Sequence, residues 1–276
     1  MKMLFLGTGS AFCVRNFQTN MMLVRNDKRF LIDAGADIRW ALKECKLSHK
    51  SINALYVTHL HSDHIGGIEY LAFCTYFDPS VKEQIQLIAN SELMRDMWNH
   101  SLQGGLSSVQ GKKTTLTDYF TVTSIPKNGK FFWEDVQFDI IQSIHIYDGY
   151  AIVPSYGLMI HDPDTGKVIF YTGDSQFAPN QLKDFYNAAD IIVHDCETMY
   201  KSGVHAHYDE LKTLPAETKR KMILVHYQDN VLLDDAPFFP ISKEWGDKAK
   251  SDGFVLGFAA KGSEWDTEKV RDILDH

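Results

Sequence analysis

Three short apolar runs, each closed by Gly or Asp, open the chain at residues 2–6, 20–24 and 29–33. Their β-branched, aromatic and long aliphatic residues predict an antiparallel meander. Over 36–47 the apolar positions Ile38, Ala41, Leu42 and Cys45 recur at the spacing of one helix face, and 52–58 reads as a buried strand. The middle, 69–133, predicts a helix over 91–101 and a Gly/Ser/Lys-rich loop at 103–115, the stretch expected to be most mobile. Further strands are expected at 136–143, 151–160, 168–171, 190–194 and 222–225, with helical stretches near 181–188 and 208–221. No fixed-period repeat or low-complexity segment interrupts this order, and Pro and Gly are scattered without forming a linker, so 1–276 reads as one domain. Strands sandwiched between helices are buried most economically as an α/β fold with αββα layers.

Composition narrows the class. Hydrophobic residues at 44% and charged residues at 23% are ordinary for a globular chain with a large core. Twenty-eight basic against 36 acidic residues give a net charge of −8, which argues against a dominant role on a phosphate backbone. The cysteines Cys13, Cys45, Cys74 and Cys196 lie far apart with no CxxC pair and read as reduced and mostly buried. The apolar run at the start is too short for a signal peptide, and no run of about 18 apolar residues occurs. A cytoplasmic protein that does not engage a membrane is expected.

The strongest chemical signal is His59-Leu60-His61-Ser62-Asp63-His64, between the strand ending at Thr58 and the Gly66-Gly67 pair. Four ligand-type side chains fall within six residues. In a loop leaving a strand, His59 and His61 can face one cation while Asp63 and His64 open the next helix toward a second. These are the imidazole and carboxylate donors that zinc or manganese accepts.

This HxHxDH string resembles the signature of the metallo-β-lactamase superfamily. The resemblance implies three later ligands: His145 in Ser143-Ile144-His145, Asp174 in Thr172-Gly173-Asp174-Ser175, and His226 in Leu224-Val225-His226. On that mapping His59, His61 and His145 hold one divalent metal, Asp63, His64 and His226 hold the other, and Asp174 bridges. Two such cations, zinc or alternatively manganese, give a shared water a pKa near neutrality and clamp phosphoryl oxygens, with hydroxide as the implied nucleophile.

Phe5-Leu6-Gly7-Thr8-Gly9-Ser10-Ala11, Arg15-Asn16 with Asn20, and Leu31-Ile32-Asp33-Ala34-Gly35 look like the tRNA-processing ribonuclease Z branch, over about residues 2–228. In that branch a histidine and an acid protonate the leaving oxygen. Here the resemblance implies Asp195, in His194-Asp195-Cys196-Glu197-Thr198, as the acid, in place of a glutamate. Its partner is His207 or His205, with His207 favoured because it directly precedes a helical stretch; Asp63 is counted with the catalytic groups as well as with the ligands.

The branch's basic tRNA-binding arm has no counterpart, since 74–133 is rich in aromatics and holds only a weak basic cluster at Lys112-Lys113. With a net charge of −8, an extended nucleic acid is not expected. A small phosphodiester carrying one base fits better, stacked on an aromatic such as Tyr147, Tyr150, Tyr156, Phe238, Phe239 or Trp245. This arm-less form is similar to the anti-Pycsar phosphodiesterases, phage and bacterial homodimers that open cyclic CMP and cyclic UMP. The resemblance implies a homodimer that hydrolyses 3′,5′-cyclic mononucleotides to nucleoside monophosphates and thereby removes a Pycsar-type antiviral signal. The alternatives are tRNA 3′-end processing, hydrolysis of sulfate esters or lactones, and a zinc-stabilised interaction module with a closed metal site.

Overall fold

The structure is a computed structural model that describes residues 1–234 and 240–275. Its strands are β1 Lys2–Gly7, β2 Asn20–Arg25, β3 Lys28–Ile32, β4 Ala54–Val57, β5 Gln86–Asn90, β6 Ser108–Val109, β7 Lys112–Lys113 and β8 Thr121–Ile125 in the first half. The second half adds β9 Lys130–Trp133, β10 Val136–Tyr147, β11 Ile152–His161, β12 Val168–Tyr171, β13 Ile191–Asp195, β14 Met222–Val225, β15 Gly257–Phe258 and β16 Glu264–Asp266. Among the described residues they form two seven-stranded sheets, ordered β16-β1-β2-β3-β4-β5-β8 and β15-β14-β13-β12-β11-β10-β9, and a separate pair, β6-β7. Each sheet begins as an antiparallel meander and continues through parallel strands, β3 to β4, β5 and β8 in the first and β12 to β13, β14 and β15 in the second.

The alternation of side chains along the parallel strands explains the layering. Ile169, Tyr171, Ile191, Val193, Ile223 and Val225 turn inward, into one apolar cluster with Phe5, Phe30 and Tyr56 of the other sheet. Phe170, Ile192, Met222 and Leu224, one residue out of phase, turn outward into a second cluster with Leu182, Tyr186 and Leu211 of the covering helices. Between the sheets, Phe138 stacks on both Phe30 and Phe131 at centroid distances of 4.8 Å. Truncating Phe138 to Ala would cost about 3–5 kcal/mol. The αββα arrangement is the one the strand and helix pattern predicts.

Two local expectations are corrected. The helix from Ser91 does not stop near 101: it runs from Ser91–Met97 through a wider turn at Trp98–Leu102 into Gln103–Leu106. The stretch expected to be the mobile loop is therefore folded, its first part helical and the rest a hairpin of β6 and β7. The Leu106 carbonyl captures it, accepting from Thr114 Oγ1 at 2.6 Å and from the Tyr119 hydroxyl at 3.0 Å. The helical stretch at 208–221 is two short helices, Tyr208–Leu211 and Ala216–Lys219, because Pro215 removes an amide donor and starts the second. The sequence pattern predicts no separate strand at β5, β8 or β9.

Candidate metal centre

The chemistry-bearing residues gather where parallel strands end. His59 follows β4, Asp174 follows β12, Asp195 closes β13 and His226 follows β14. This is the edge at which open α/β sheets place their sites. Asp63 and His64 lie on the single-turn helix Ser62–Ile65, whose first residues continue directly from the β4 loop. That loop packs tightly on Ala34-Gly35: the Ala34 amide donates to the His64 carbonyl at 2.7 Å, and a Cβ on Gly35 would meet the Asp63 carbonyl at 2.4 Å. Only glycine fits there.

His145 lies within β10, where the register with β11 slips between Ile144 and Ile146. The extra residue of the bulge turns the imidazole toward the centre. Gln176 holds the bulge from the Asp174 loop, its amide donating to the Ile144 carbonyl at 2.8 Å and its Nε2 to the His145 carbonyl at 3.0 Å. His226 reaches the centre with φ of 62°, a left-handed conformation that costs a non-glycine residue roughly 1–3 kcal/mol and persists only where its surroundings fix it.

The side chains converge in two groups that share one carboxylate. His59 Nε2 and His145 Nε2 each lie 3.1 Å from His61 Nδ1, and Asp174 Oδ2 is 3.5 Å from His59 Nε2 and 3.9 Å from His145 Nε2. On the other side, Asp63 Oδ2 is 3.2 Å from both His64 Nε2 and His226 Nε2, with Asp174 Oδ2 at 3.3 and 3.4 Å from the same two nitrogens. A tetrahedral zinc with bonds of about 2.0–2.1 Å spaces its ligands ~3.3 Å apart. All of these side chains are buried except His61, which stands at the exposed side.

The donor set fits a cation pair. His64 Nδ1 donates to Asp33 Oδ2 at 2.8 Å and His145 Nδ1 to the Val204 carbonyl at 3.0 Å, so both rings turn an Nε2 lone pair inward. His59 does the same: its Nδ1 donates to Thr58 Oγ1 at 3.0 Å, and that hydroxyl donates to Asp33 Oδ2 at 2.8 Å. His64 Nε2 and Asp174 Oδ2 are buried with no hydrogen-bond partner. Facing lone pairs and an unpartnered carboxylate oxygen in a buried place call for positive charge between them. With no cation between them, burial would push the His64 pKa down, but Asp174, Asp33 and Asp63 outweigh it and raise it well above the usual value, so that a proton on His64 stands in for the positive charge the carboxylates call for. Burial dominates at His59 and His145, whose values are lowered, which favours the neutral ring that a metal ligand needs.

Asp195 and His205 adjoin this pair of groups. The Asp195 carboxylate accepts from the Ser175 amide at 2.9 Å and from His205 Nδ1 at 2.7 Å, and its other oxygen lies 3.4 Å from His226 Nδ1. His205 Nδ1 is 3.9 Å from Asp174 Oδ2. The expected preference for His207 is not what the geometry brings to the acid. His207 is the N-cap of Tyr208–Leu211, its Nδ1 accepting from the Asp209 amide at 3.1 Å while Glu210 reaches back to its own amide. It does precede a helix, and capping that helix is what uses it. His194, next to Asp195, faces the outer layer and bonds the Tyr186 hydroxyl at 2.7 Å. The sequence pattern assigns Asp33 no role, because its contacts lie 25 and 31 positions away.

The aromatic candidates divide. Tyr156 is buried between the sheets, and Trp245 packs against Tyr208 and Phe258. Tyr147 and Tyr150 stand exposed on the turn after His145, Tyr150 at 97%. Phe238 and Phe239 lie outside the described residues. The cysteines are all free, with Cys196 buried and the other three only partly so, which corrects the expectation of mostly buried thiols. Among the described residues no helix is long and apolar enough to cross a membrane.

Two sheets of this topology, with a His/Asp centre at their shared edge, define a protein of the metallo-β-lactamase fold. The metallo-β-lactamase fold protein YhfI from Bacillus subtilis superposes with a TM-score of 0.69 at 16% identity, covering 96% of this chain and 99% of that one. Human tRNase Z, short form, superposes with a TM-score of 0.65 at 16% identity, covering 96% and 99%. Within that fold the chain belongs to the Anti-Pycsar protein Apyc1 family, whose model matches residues 1–237. An Anti-Pycsar protein Apyc1 of Bacillus phage vB_BveM-Goe7 is 32% identical over 241 residues, 83% of this chain and 90% of that protein.

Proposed function

We propose that the protein is a two-metal phosphodiesterase that opens 3′,5′-cyclic mononucleotides to nucleoside monophosphates and so removes a Pycsar-type antiviral signal. The observation that carries the reading is the convergence of two ligand groups on Asp174 Oδ2 in a chain of the Apyc1 family. His59, His61 and His145 would hold one divalent cation, Asp63, His64 and His226 the other, and Asp174 both, with zinc as the expected metal and manganese as the alternative. When bound, such a pair lowers the pKa of water and neutralises the oxygens of a phosphoryl group.

The chain's own residues supply the rest. Asp33 and the Val204 carbonyl fix the rings of His64 and His145. The exposed side at His61 leaves the phosphodiester a way in. Asp195 holds His205 through Nδ1, which leaves its Nε2 to give a proton to the departing ribose oxygen. Asp195 also favours the charged ring: burial would lower the His205 pKa, and Asp195 raises it above the usual value. Tyr147 and Tyr150, with exposed Ile152 and Val153, offer a surface for a base or for a second copy of the chain, which supports the homodimer reading. The net charge of −8 suits a small substrate better than an extended nucleic acid, and the place of action is the cytoplasm, the host's if a phage encodes it.

The test incubates the metal-loaded protein with a mixture of 3′,5′-cyclic nucleotides and, separately, with precursor tRNA, using His64→Ala as the blank, and resolves the products by chromatography. Opening of cyclic CMP or cyclic UMP by the wild type alone is expected. Cleavage of precursor tRNA alone, or no turnover of either, overturns the reading.

A further inference from the structure

His226 is the one residue of the two ligand groups in a left-handed backbone conformation, and no strand partner holds it, since β14 ends at Val225. The next residue, Tyr227, is fastened instead. It is fully buried, and its main chain pairs with the Gly7-Thr8-Gly9-Ser10 segment that leaves β1 in the other sheet. Its amide donates to the Thr8 carbonyl at 3.3 Å, and its carbonyl accepts from the Ser10 amide at 3.1 Å and from Cys13 Sγ at 3.2 Å.

The side chain adds a directed relay. Asn16 Nδ2 donates to Thr8 Oγ1 at 2.9 Å, the Thr8 and Tyr227 hydroxyls are 2.7 Å apart, and the Tyr227 hydroxyl is 2.6 Å from the Ala259 carbonyl. A carbonyl only accepts, so Tyr227 donates to Ala259, and Thr8 must donate to Tyr227. Every proton in the row has one place. The row crosses from the segment after β1, past the end of β14, to the residue after β15, and the Phe258 ring meets the Tyr227 ring edge-on at 5.3 Å. Buried and satisfied, the Tyr227 hydroxyl has no open route to a substrate.

The geometry points to Tyr227 and Thr8 as positioning residues for His226: the Asn16–Thr8–Tyr227–Ala259 relay fixes the backbone that carries the last ligand and thereby sets how firmly one of the two metals is held. The Thr8-Gly9-Ser10 segment after β1 is then a clamp on that ligand. The inference rests on the two-metal reading.

The experiment takes the full chain loaded with Co(II), challenges it with graded chelator, and monitors cobalt stoichiometry and the visible absorption band for wild type, Tyr227→Phe, Thr8→Val and Thr8→Ser. Partners of this kind typically set metal affinity by about 10–100-fold. In Tyr227→Phe and Thr8→Val one of two cobalt equivalents should leave at roughly tenfold lower chelator, with the other unmoved, and Thr8→Ser should behave as wild type. Two equivalents held as in wild type, an equal loosening of both, or a Thr8→Ser that fails like Thr8→Val overturns the inference. A wild type that never holds two equivalents instead sinks the two-metal reading itself.

Discussion

The Asp33 carboxylate and the His64 imidazole lie 2.8 Å apart, both fully buried, and the same carboxylate oxygen receives the Thr58 hydroxyl to which His59 donates. One side chain outside both ligand groups therefore orients a histidine of each. Asp33→Asn keeps the shape but sets an amide donor against donors. Metal affinity should fall about 10–100-fold, and at both positions. Metal content after dialysis against a mild chelator measures it, and full retention at either position would refute the shared role.

Among the described residues Asp174 is the only carboxylate common to both groups. Asp174→Ala should lose bound metal and activity together, read by elemental analysis beside turnover of a cyclic nucleotide. Activity at wild-type level with two metals retained would remove Asp174 from the bridging position.

His205 and His207 are two residues apart and should fail differently. His205→Gln should lower kcat by about 10²–10⁴-fold, with KM within a few-fold and both metals kept, because it removes the proton donor held by Asp195. His207→Gln should leave kcat near wild type and cost about 0.5–2 kcal/mol of stability, because it removes a helix cap. Steady-state kinetics beside thermal unfolding separates them, and the reverse pattern would return the role to His207.

Burial pushes the Cys13 thiol up to about 12, and Cys196 is raised well above the usual thiol range for the same reason. Below those values each thiol stays protonated, and it is the thiolate that reacts. At about pH 8 iodoacetamide should therefore reach Cys13 and Cys196 far more slowly in the folded protein than after unfolding. Peptide mass spectrometry reads this directly, and labelling of native Cys13 at the rate of an unfolded thiol would mean that the segment beside Tyr227 is open.

Legibility in the sequence tracks locality. The six residues from His59 to His64 declare their chemistry because the ligand types are contiguous, and the unbroken apolar runs of β12, β13 and β14 declare buried strands. His145, Asp174 and His226 stand alone in the chain and are reached only through the resemblance. The role of Asp33 is invisible because its partners lie across a parallel crossover. Spacing does not separate His205 from His207, although Asp209-Glu210 after His207 is the pattern of a capped helix start. The 103–115 segment looks loose by composition, and the Leu106 carbonyl, which binds Thr114 and Tyr119, is what orders it.

The seven converging residues run from His59 to His226, the first four beside one sheet and the last three on the other. At about 5–20 residues per second, roughly 8–30 s of synthesis separate the emergence of His64 from that of His226. Throughout that interval the group of Asp63, His64 and His226 lacks its last member, and the segment at Thr8 waits longer still for Tyr227. On the two-metal reading, full loading is therefore a late event in the protein's biogenesis, because each cation takes ligands from beside both sheets.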